Sequence, residues 1–376
     1  MKKRTDLKVK ARLWESLENK KVQCFVCANK CIILPGKIGT CRTRKNFDGE
    51  LFTLIYGSLI SSGSLDPIEK KPLYNFWPGA TAYSIASIGC SLKCQNCQNW
   101  SISQANPTDN GKNGFYDLKG YEGQSMSLVE MTPDQLIKKV LKSGSKTLAY
   151  TYNEPLIWHE WIIDTVKLLK EKEIKTILVT NGYSTPEASK ELVDVGIDAA
   201  NIDIKAMSDE FYKKICGVTS VQPVLDTAKF FKSKGVHVEI TNLIIPDKND
   251  KKEDFEQLSN WVVKNLGKNT PIHFSAYHPD FKRPSDKRTP LETLNIAYNV
   301  AKDTGLLFPY IGNINHKQGS NTYCPNCNHL LLNREGYSFR KIDINVDKKC
   351  PKCGYDLRND IIGEINKSPS HWSRFL

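Results

Sequence analysis

Ser84-Ile-Ala-Ser-Ile-Gly-Cys90-Ser-Leu-Lys-Cys94-Gln-Asn-Cys97-Gln-Asn-Trp-Ser-Ile-Ser-Gln104 joins a short apolar run to three cysteines in C-x3-C-x2-C spacing. The run reads as a strand ending at Gly89. The cysteines then fall on a polar loop, the usual place for a reactive site on a rigid scaffold. Three thiolates on so short a loop can hold a cluster of iron and sulfide. A fully protein-ligated [4Fe–4S] cluster needs four, so one iron is left without a protein ligand and open to a substrate. Zinc is the alternative, but it prefers four ligands and usually draws them from two C-x2-4-C pairs, which this triplet lacks. The plainest reading, buried thiols packed as small hydrophobes, is the third.

The 376 residues suffice for one large domain with smaller ones attached. A hydrophobic content of 40% and a charged content of 25% are those of an ordinary soluble globular protein. No stretch approaches the run of about 20 apolar residues that a membrane span needs. The basic start Met1-Lys-Lys-Arg-Thr-Asp-Leu-Lys8 leads into no apolar signal region, so a cytoplasmic protein is expected, with no membrane partner. In that setting cysteines more often bind metal or do redox chemistry than form disulfides. Eleven of the twelve fall into three groups: Cys24/Cys27/Cys31/Cys41, Cys90/Cys94/Cys97 and Cys324/Cys327/Cys350/Cys353. Cys216 stands apart and reads as a structural or incidental thiol.

Of the net charge of +12, residues 1–44 hold 12 Lys and Arg against 3 Asp and Glu, and residues 317–376 hold 10 against 6. The rest is nearly neutral. Basic ends on a neutral body suit a large or acidic partner such as RNA. Terminal lysines that merely keep the chain soluble are the alternative.

Residues 1–20 read as a basic amphipathic helix with Leu7, Ala11, Leu13, Trp14 and Leu17 on one face. Cys24, Cys27, Cys31 and Cys41 then close around one metal in a module of residues 1–50, with zinc the first reading and a second iron–sulfur cluster the other. Residues 51–80 read as short strands and turns. From residue 83 strand and helix alternate: strands at 83–88, 147–152, 175–180, 199–204, 236–245 and 271–277, helices near 133–143, 156–171, 186–195, 220–234, 252–266 and 289–303. That repetition argues for a parallel sheet covered by helices. Polar residues gather at the strand ends: Thr151 to Glu154, Thr180 and Asn181, Asp203 and Lys205, Glu239 to Asn242, Tyr277 and His278. A site at that rim is expected. In residues 317–376, Cys324-Pro-Asn-Cys327 and Cys350-Pro-Lys-Cys353 have the spacing of a zinc ribbon, either a structural cap or a basic surface for a partner.

The C-x3-C-x2-C loop resembles that of the radical S-adenosylmethionine (SAM) enzymes. The resemblance implies an α/β fold, a partial (β/α)6 TIM-like barrel over residues 51–316, between the N-terminal cysteine-rich module and the C-terminal zinc ribbon. It also implies catalytic cysteines at Cys90, Cys94 and Cys97, whose [4Fe–4S] cluster chelates SAM at its open iron and splits it reductively to a 5'-deoxyadenosyl radical. Asn96 stands where an aromatic residue is common. The segment is similar to the activating enzymes of glycyl-radical proteins, with Asn153-Glu154-Pro155 in the place of a Gly-Gly-Glu-Pro motif. By that likeness Glu154, beside Asn153, would accept a hydrogen bond from the SAM amino group. Asp203 and Lys205 would contact its methionine end, and His278 its ribose or methionine part, with Asn181 a further candidate.

A likeness over nearly the whole chain rests on Asp66-Pro-Ile-Glu-Lys-Lys-Pro-Leu-Tyr74, Gln98-Asn-Trp-Ser-Ile-Ser-Gln104, Thr151-Tyr-Asn-Glu-Pro155, Tyr310-Ile-Gly-Asn313 and Asn321-Thr-Tyr-Cys-Pro-Asn-Cys327. These look like the radical SAM proteins of the AmmeMemoRadiSam type, which occur with Memo-type and AMMECR-type proteins. The expected function is hydrogen abstraction from a macromolecular substrate, RNA or protein, with ferredoxin or flavodoxin as electron donor. A glycyl-radical activase is one alternative, and a non-enzymatic metal-dependent scaffold or RNA-binding protein the other.

Overall fold

The computed structural model describes residues 9–109, 116–119, 125–126 and 128–367. Its centre is an eight-stranded sheet: β1 (Ser64–Pro67), β2 (Thr81–Ile85), β3 (Thr147–Tyr150), β4 (Lys175–Thr180), β5 (Ala199–Asp203), β6 (His237–Ile244), β7 (Ile272–Ala276) and β8 (Pro309–Gly312). The strands lie in sequence order, β2 to β8 parallel and β1 antiparallel to β2. Because β1 and β8 are edges that do not pair, the barrel is open. The sequence pattern gives six of these strands. β8 is a seventh parallel strand, only four residues long and begun by a proline, too short to show a periodicity.

Strands such as β3 and β7 are buried throughout, as expected when helices cover one face and the lumen is filled on the other. The helices are α1 (Pro133–Ser143), α2 (His159–Lys170), α3 (Pro186–Val195), α4 (Gln222–Ser233), α5 (Lys252–Leu266) and α6 (Leu291–Asp303). Local chemistry fixes their ends. Thr132 and Gln135 form a reciprocal capping box ahead of α1, Pro133 takes the first helical position, and Gly144 stops the helix at φ 72°.

The lumen is plugged from the end where the strands begin. Ala82, Ala149 and Ala199 are small enough to leave room for Ile68, Leu73 and Phe76, with which they share one apolar cluster. Glu239, near the start of β6, fastens this plug: its carboxylate accepts from Tyr74 N at 3.0 Å, Asn75 N at 2.8 Å, His237 Nε2 at 2.9 Å and His273 Nε2 at 2.7 Å. The sequence reading sets Glu239 near the end of its strand. β6 runs on to Ile244, so this carboxylate belongs to the opposite end of the barrel from the cysteine loop.

The C-terminal cysteines sit on a three-stranded antiparallel sheet, Thr322–Tyr323, Leu330–Glu335 and Ser338–Ile342. It is fixed to the plug. Ile362 N donates to Asn75 O at 2.8 Å, Trp77 N to Ile362 O at 2.7 Å, and Arg334 Nη2 to Tyr74 O at 2.9 Å. Arg334 also lies 3.6 Å from Glu69, both side chains fully buried.

Residues 9–20 form no α-helix, only a 3-10 turn at Glu18–Lys20, which corrects the sequence reading; the first eight residues of that expected helix, Leu7 among them, lie outside the described residues. Val9–Lys10 pairs with Glu50–Thr53, and Trp14–Ser16 with Val22–Cys24. Leu13, Asn19 and Lys20 have φ of 52°, 57° and 58°, which no right-handed helix accommodates. Ala11 is buried among Val22, Ile33 and Leu51, so tertiary packing overrides a pattern that a helix would also have satisfied. Among the described residues no helix is long and apolar enough to cross a membrane.

Candidate active site

The loop after β2 carries Cys90, Cys94 and Cys97 onto the wall of a cavity of about 290 Å³ at the ends of the parallel strands. Gly89 turns the chain at φ +85°, a conformation that glycine adopts without strain. Asn153 holds the turn, its Nδ2 donating to Ile88 O and Gly89 O at 3.1 and 3.2 Å while its Oδ1 accepts from Ser87 N at 3.2 Å. Polar groups surround the sulfurs. Cys90 Sγ lies 3.4 Å from Leu92 N and 3.5 Å from Asn181 Nδ2, and Cys97 Sγ lies 3.1 Å from Ser103 Oγ.

Burial pushes the Cys90 and Cys97 thiols up. Cys94 is held low, first by a hydrogen bond with Cys216 and then by the nearby Lys205 cation, against the effect of burial. Cys216 is a buried thiol with a structural place. It ends a π-helical turn, Tyr212–Cys216, whose carbonyls also take Lys93 N at 2.8 Å and Gln95 N at 2.9 Å. No periodicity marks such a contact, because it joins residues more than a hundred positions apart.

The same cavity is lined by Asn153, Glu154, Asn181, Asp203 and Lys205. Glu154 caps the turn that starts at Pro155: Oε1 accepts from Leu156 N at 2.9 Å and Thr180 Oγ1 at 2.7 Å, and Oε2 from Asn181 N at 2.8 Å. Burial raises its carboxyl to about 7, although the three donors pull the other way. Lys205 Nζ pairs with Asp203 Oδ2 at 2.9 Å. Burial alone would lower this lysine, but Asp203 and Cys94 outweigh it and hold Lys205 well above its ordinary range. His278 is exposed and does not line the cavity; its Nδ1 is 2.9 Å from Gln98 Nε2, one residue beyond Cys97. Thr241 and Leu243 from the second half of β6, Ser275 near the end of β7 and Asn313 just after β8 complete the lining.

Asp66, Lys71 and Tyr152 form a cluster that the sequence marks only as part of a long motif. Asp66 Oδ2 accepts from Lys71 Nζ at 2.8 Å and Tyr152 Oη at 2.6 Å, and Lys70 reaches Oδ1 at 3.0 Å. Tyr152, with Lys70 and Pro72 from the same motif as Asp66 and Lys71, lines the cavity.

Residues 84–262 match the model of the Radical SAM superfamily. Protein MJ0808 of Methanocaldococcus jannaschii is 40% identical over 345 residues, 92% of this chain and 97% of that one. The chain belongs to the radical SAM superfamily. Pyruvate formate-lyase-activating enzyme of Clostridium pasteurianum is 29% identical over 200 residues, 50% of this chain and 72% of that enzyme. A probable GTP 3',8-cyclase of Saccharolobus islandicus is 25% identical over 246 residues, 59% of this chain and 75% of that protein. This radical SAM protein is an enzyme, and its superfamily brings a [4Fe–4S] cluster and SAM as cofactors. Three thiols on one loop, one of them held low beside a lysine, form a donor set that fits such a cluster.

The C-terminal quartet is more tightly drawn. Cys324, Cys327, Cys350 and Cys353 have sulfurs all within 4.8 Å of one another, with Cys324 to Cys353 at 3.6 Å and Cys327 to Cys350 at 3.7 Å. Four sulfurs so placed could hold one metal ion.

Proposed function

We propose that this radical SAM enzyme holds its cluster on Cys90, Cys94 and Cys97, binds SAM across the adjoining cavity and abstracts hydrogen from a macromolecular substrate. The observation that carries the reading is that one cavity at the strand ends is lined by all three cysteines together with Glu154, Asn181, Asp203 and Lys205. When bound, the cluster supplies the electron that splits SAM to a 5'-deoxyadenosyl radical. The protein does the rest. Asn153 and Asn181 set the position of the Cys90 loop. Glu154 offers its remaining lone pair to the SAM ammonium, whose charge would keep that carboxyl ionised. Asp203 and Lys205 present opposite charges to the amino-acid end, and Lys205 also favours the Cys94 thiolate. Tetrahedral zinc in the C-terminal ribbon agrees with the 3.6 and 3.7 Å sulfur pairs, since four thiolates about 2.3 Å from zinc lie about 3.8 Å apart.

Of the two macromolecular classes, a protein substrate has the better support. Four of the twelve N-terminal Lys and Arg side chains are paired with carboxylates within the chain, Lys10 with Glu50, Arg12 with Glu191, Lys20 with Asp48 and Arg44 with Glu160, which lessens the charge offered to phosphates. The likeness to pyruvate formate-lyase-activating enzyme favours a second reading in which the partner protein keeps a stable glycyl radical. The long motifs shared with the AmmeMemoRadiSam type make Memo-type and AMMECR-type proteins the first partners to test, with ferredoxin or flavodoxin as donor, in the cytoplasm.

Anaerobic incubation with SAM and dithionite tests the central reading. The wild type should release 5'-deoxyadenosine, and the triple variant Cys90→Ala/Cys94→Ala/Cys97→Ala should release none. A triple variant that still cleaves SAM would overturn it.

A further inference from the structure

Cys24, Cys27, Cys31 and Cys41 line one narrow cavity together with Arg44 and Ile157. Three of the four sulfurs have a polar side chain against them: Asn29 Nδ2 is 3.7 Å from Cys27 Sγ, Thr40 Oγ1 is 3.3 Å from Cys31 Sγ and Thr43 Oγ1 is 3.2 Å from Cys41 Sγ. Arg44 adds a buried cation. Glu160 takes its Nη1 and Nη2 at 2.9 and 2.7 Å, but its Nε is buried with no hydrogen-bond partner. A guanidinium that keeps one unused donor beside four thiols is placed for anionic sulfur.

The spacing of the sulfurs separates this site from zinc. Among the described residues, the C-terminal quartet gathers within 4.8 Å, close to the tetrahedral edge of about 3.8 Å that zinc requires. The N-terminal four form no such group, and neither do Cys90, Cys94 and Cys97. Their sulfurs are more widely spaced, as thiolates are when several irons lie between them. The site also adjoins the SAM cavity. Asn29 Nδ2, beside Cys27, donates to Ser91 O at 2.7 Å, and a Cβ on Gly89 would stand 2.6 Å from Cys41 O.

We propose that Cys24, Cys27, Cys31 and Cys41 hold a second iron–sulfur cluster, which relays electrons to the cluster on Cys90, Cys94 and Cys97. The relay rests on the function proposed above; the second cluster does not. A reduced one-electron carrier protein gives up one electron, the N-terminal cluster takes it, and that cluster returns to its starting state as the other is reduced. No bond forms or breaks in the transfer.

The test uses the full chain, reconstituted anaerobically with iron and sulfide, beside Cys24→Ala/Cys41→Ala and Cys90→Ala/Cys94→Ala/Cys97→Ala. Iron, sulfide and zinc are assayed, and EPR spectra are taken after reduction. Each variant should keep about half of the wild-type iron and sulfide, and the reduced wild type should show spin–spin broadening that neither variant shows. Zinc in place of iron at the N-terminal site, or no iron in the Cys90/Cys94/Cys97 variant, overturns the second cluster. That variant decides the matter even if the Cys24/Cys41 variant does not fold. Iron absent from the Cys24/Cys41 variant alone would instead remove the assignment of Cys90, Cys94 and Cys97 and leave the second cluster standing. For the relay, SAM cleavage driven by reduced flavodoxin should fall about tenfold in the Cys24/Cys41 variant while cleavage driven by dithionite holds. Equal losses with both reductants would overturn it.

Discussion

The two cysteine quartets have the same ligand count and opposite relations to the barrel. The C-terminal four close on a point at the end where the strands begin, and their sheet rests on the plug through Tyr74, Asn75 and Trp77. The N-terminal four surround a cavity at the other end, touching the loop of Cys90 through Asn29 and Gly89. A quartet that only holds a fold together can sit anywhere the backbone needs tying. One that serves the chemistry must lie within reach of it, and only the N-terminal quartet does.

The contrast breaks most sharply at the ribbon. Cys350→Ala should remove metal-coupled folding free energy on the order of 10 kcal/mol from that module. Hydrogen exchange should then become fast over residues 320–367 while the barrel strands stay protected. Loss of protection in β2 to β8 as well would mean that the ribbon also supports the barrel.

Glu160→Ala comes next. It leaves the Arg44 guanidinium, whose side chain is 2% exposed, without its carboxylate, and should cost about 3–5 kcal/mol in urea unfolding. Because Glu160 Oε1 also accepts from Arg12 N at 2.7 Å, the loss should loosen the N-terminal module and leave the C-terminal cysteine module unchanged.

The third effect depends on pH and concerns the plug. Burial alone would raise the Glu239 carboxyl, but the donors His237 and His273 outweigh it and hold it down at about 2. A carboxyl lower in the folded than in the unfolded chain stabilises above its unfolded value, and that stability is lost as pH falls through the folded one. On the order of 3 kcal/mol should therefore disappear between about pH 5 and pH 2. Glu239→Gln should flatten this part of the stability profile; an unchanged profile would show that the carboxyl does not anchor the plug.

The smallest effect is Gly89→Ala. Its Cβ would meet Thr43 Cγ2 at 2.4 Å and Cys41 O at 2.6 Å, at φ +85°. A cost of about 1–3 kcal/mol is expected, with slower cluster loading as the reporter. Normal loading would mean that the two cysteine loops are less tightly apposed than the structure has them.

The six strand–helix units are legible in the sequence because the strands are apolar runs and helices such as α1 and α3 carry their own start and stop, as at Thr132 and Gly144 and at Thr185 and Gly196. The cysteine triplet, Asp203 and Lys205 are legible because chemistry and strand ends coincide there. What the sequence hides is tertiary. β8 is too short for a pattern, and residues 9–20 satisfy a helical spacing that packing against Leu51 overrides. The π-helical turn that ends at Cys216 meets the cysteine loop through Lys93 N. His278 keeps its motif yet stands outside the cavity lining, paired with Gln98.

The order of synthesis gives the Arg44–Glu160 pair a further meaning. Its members are 116 residues apart, so at about 5–20 residues per second the N-terminal thiols emerge roughly 6–23 s before the carboxylate that fixes their module. The C-terminal quartet spans 29 residues from Cys324 to Cys353 and is complete within about 6 s of its first member. During translation, then, the quartet beside the candidate site is the one left longer with its thiols open to oxidant before its module is fixed.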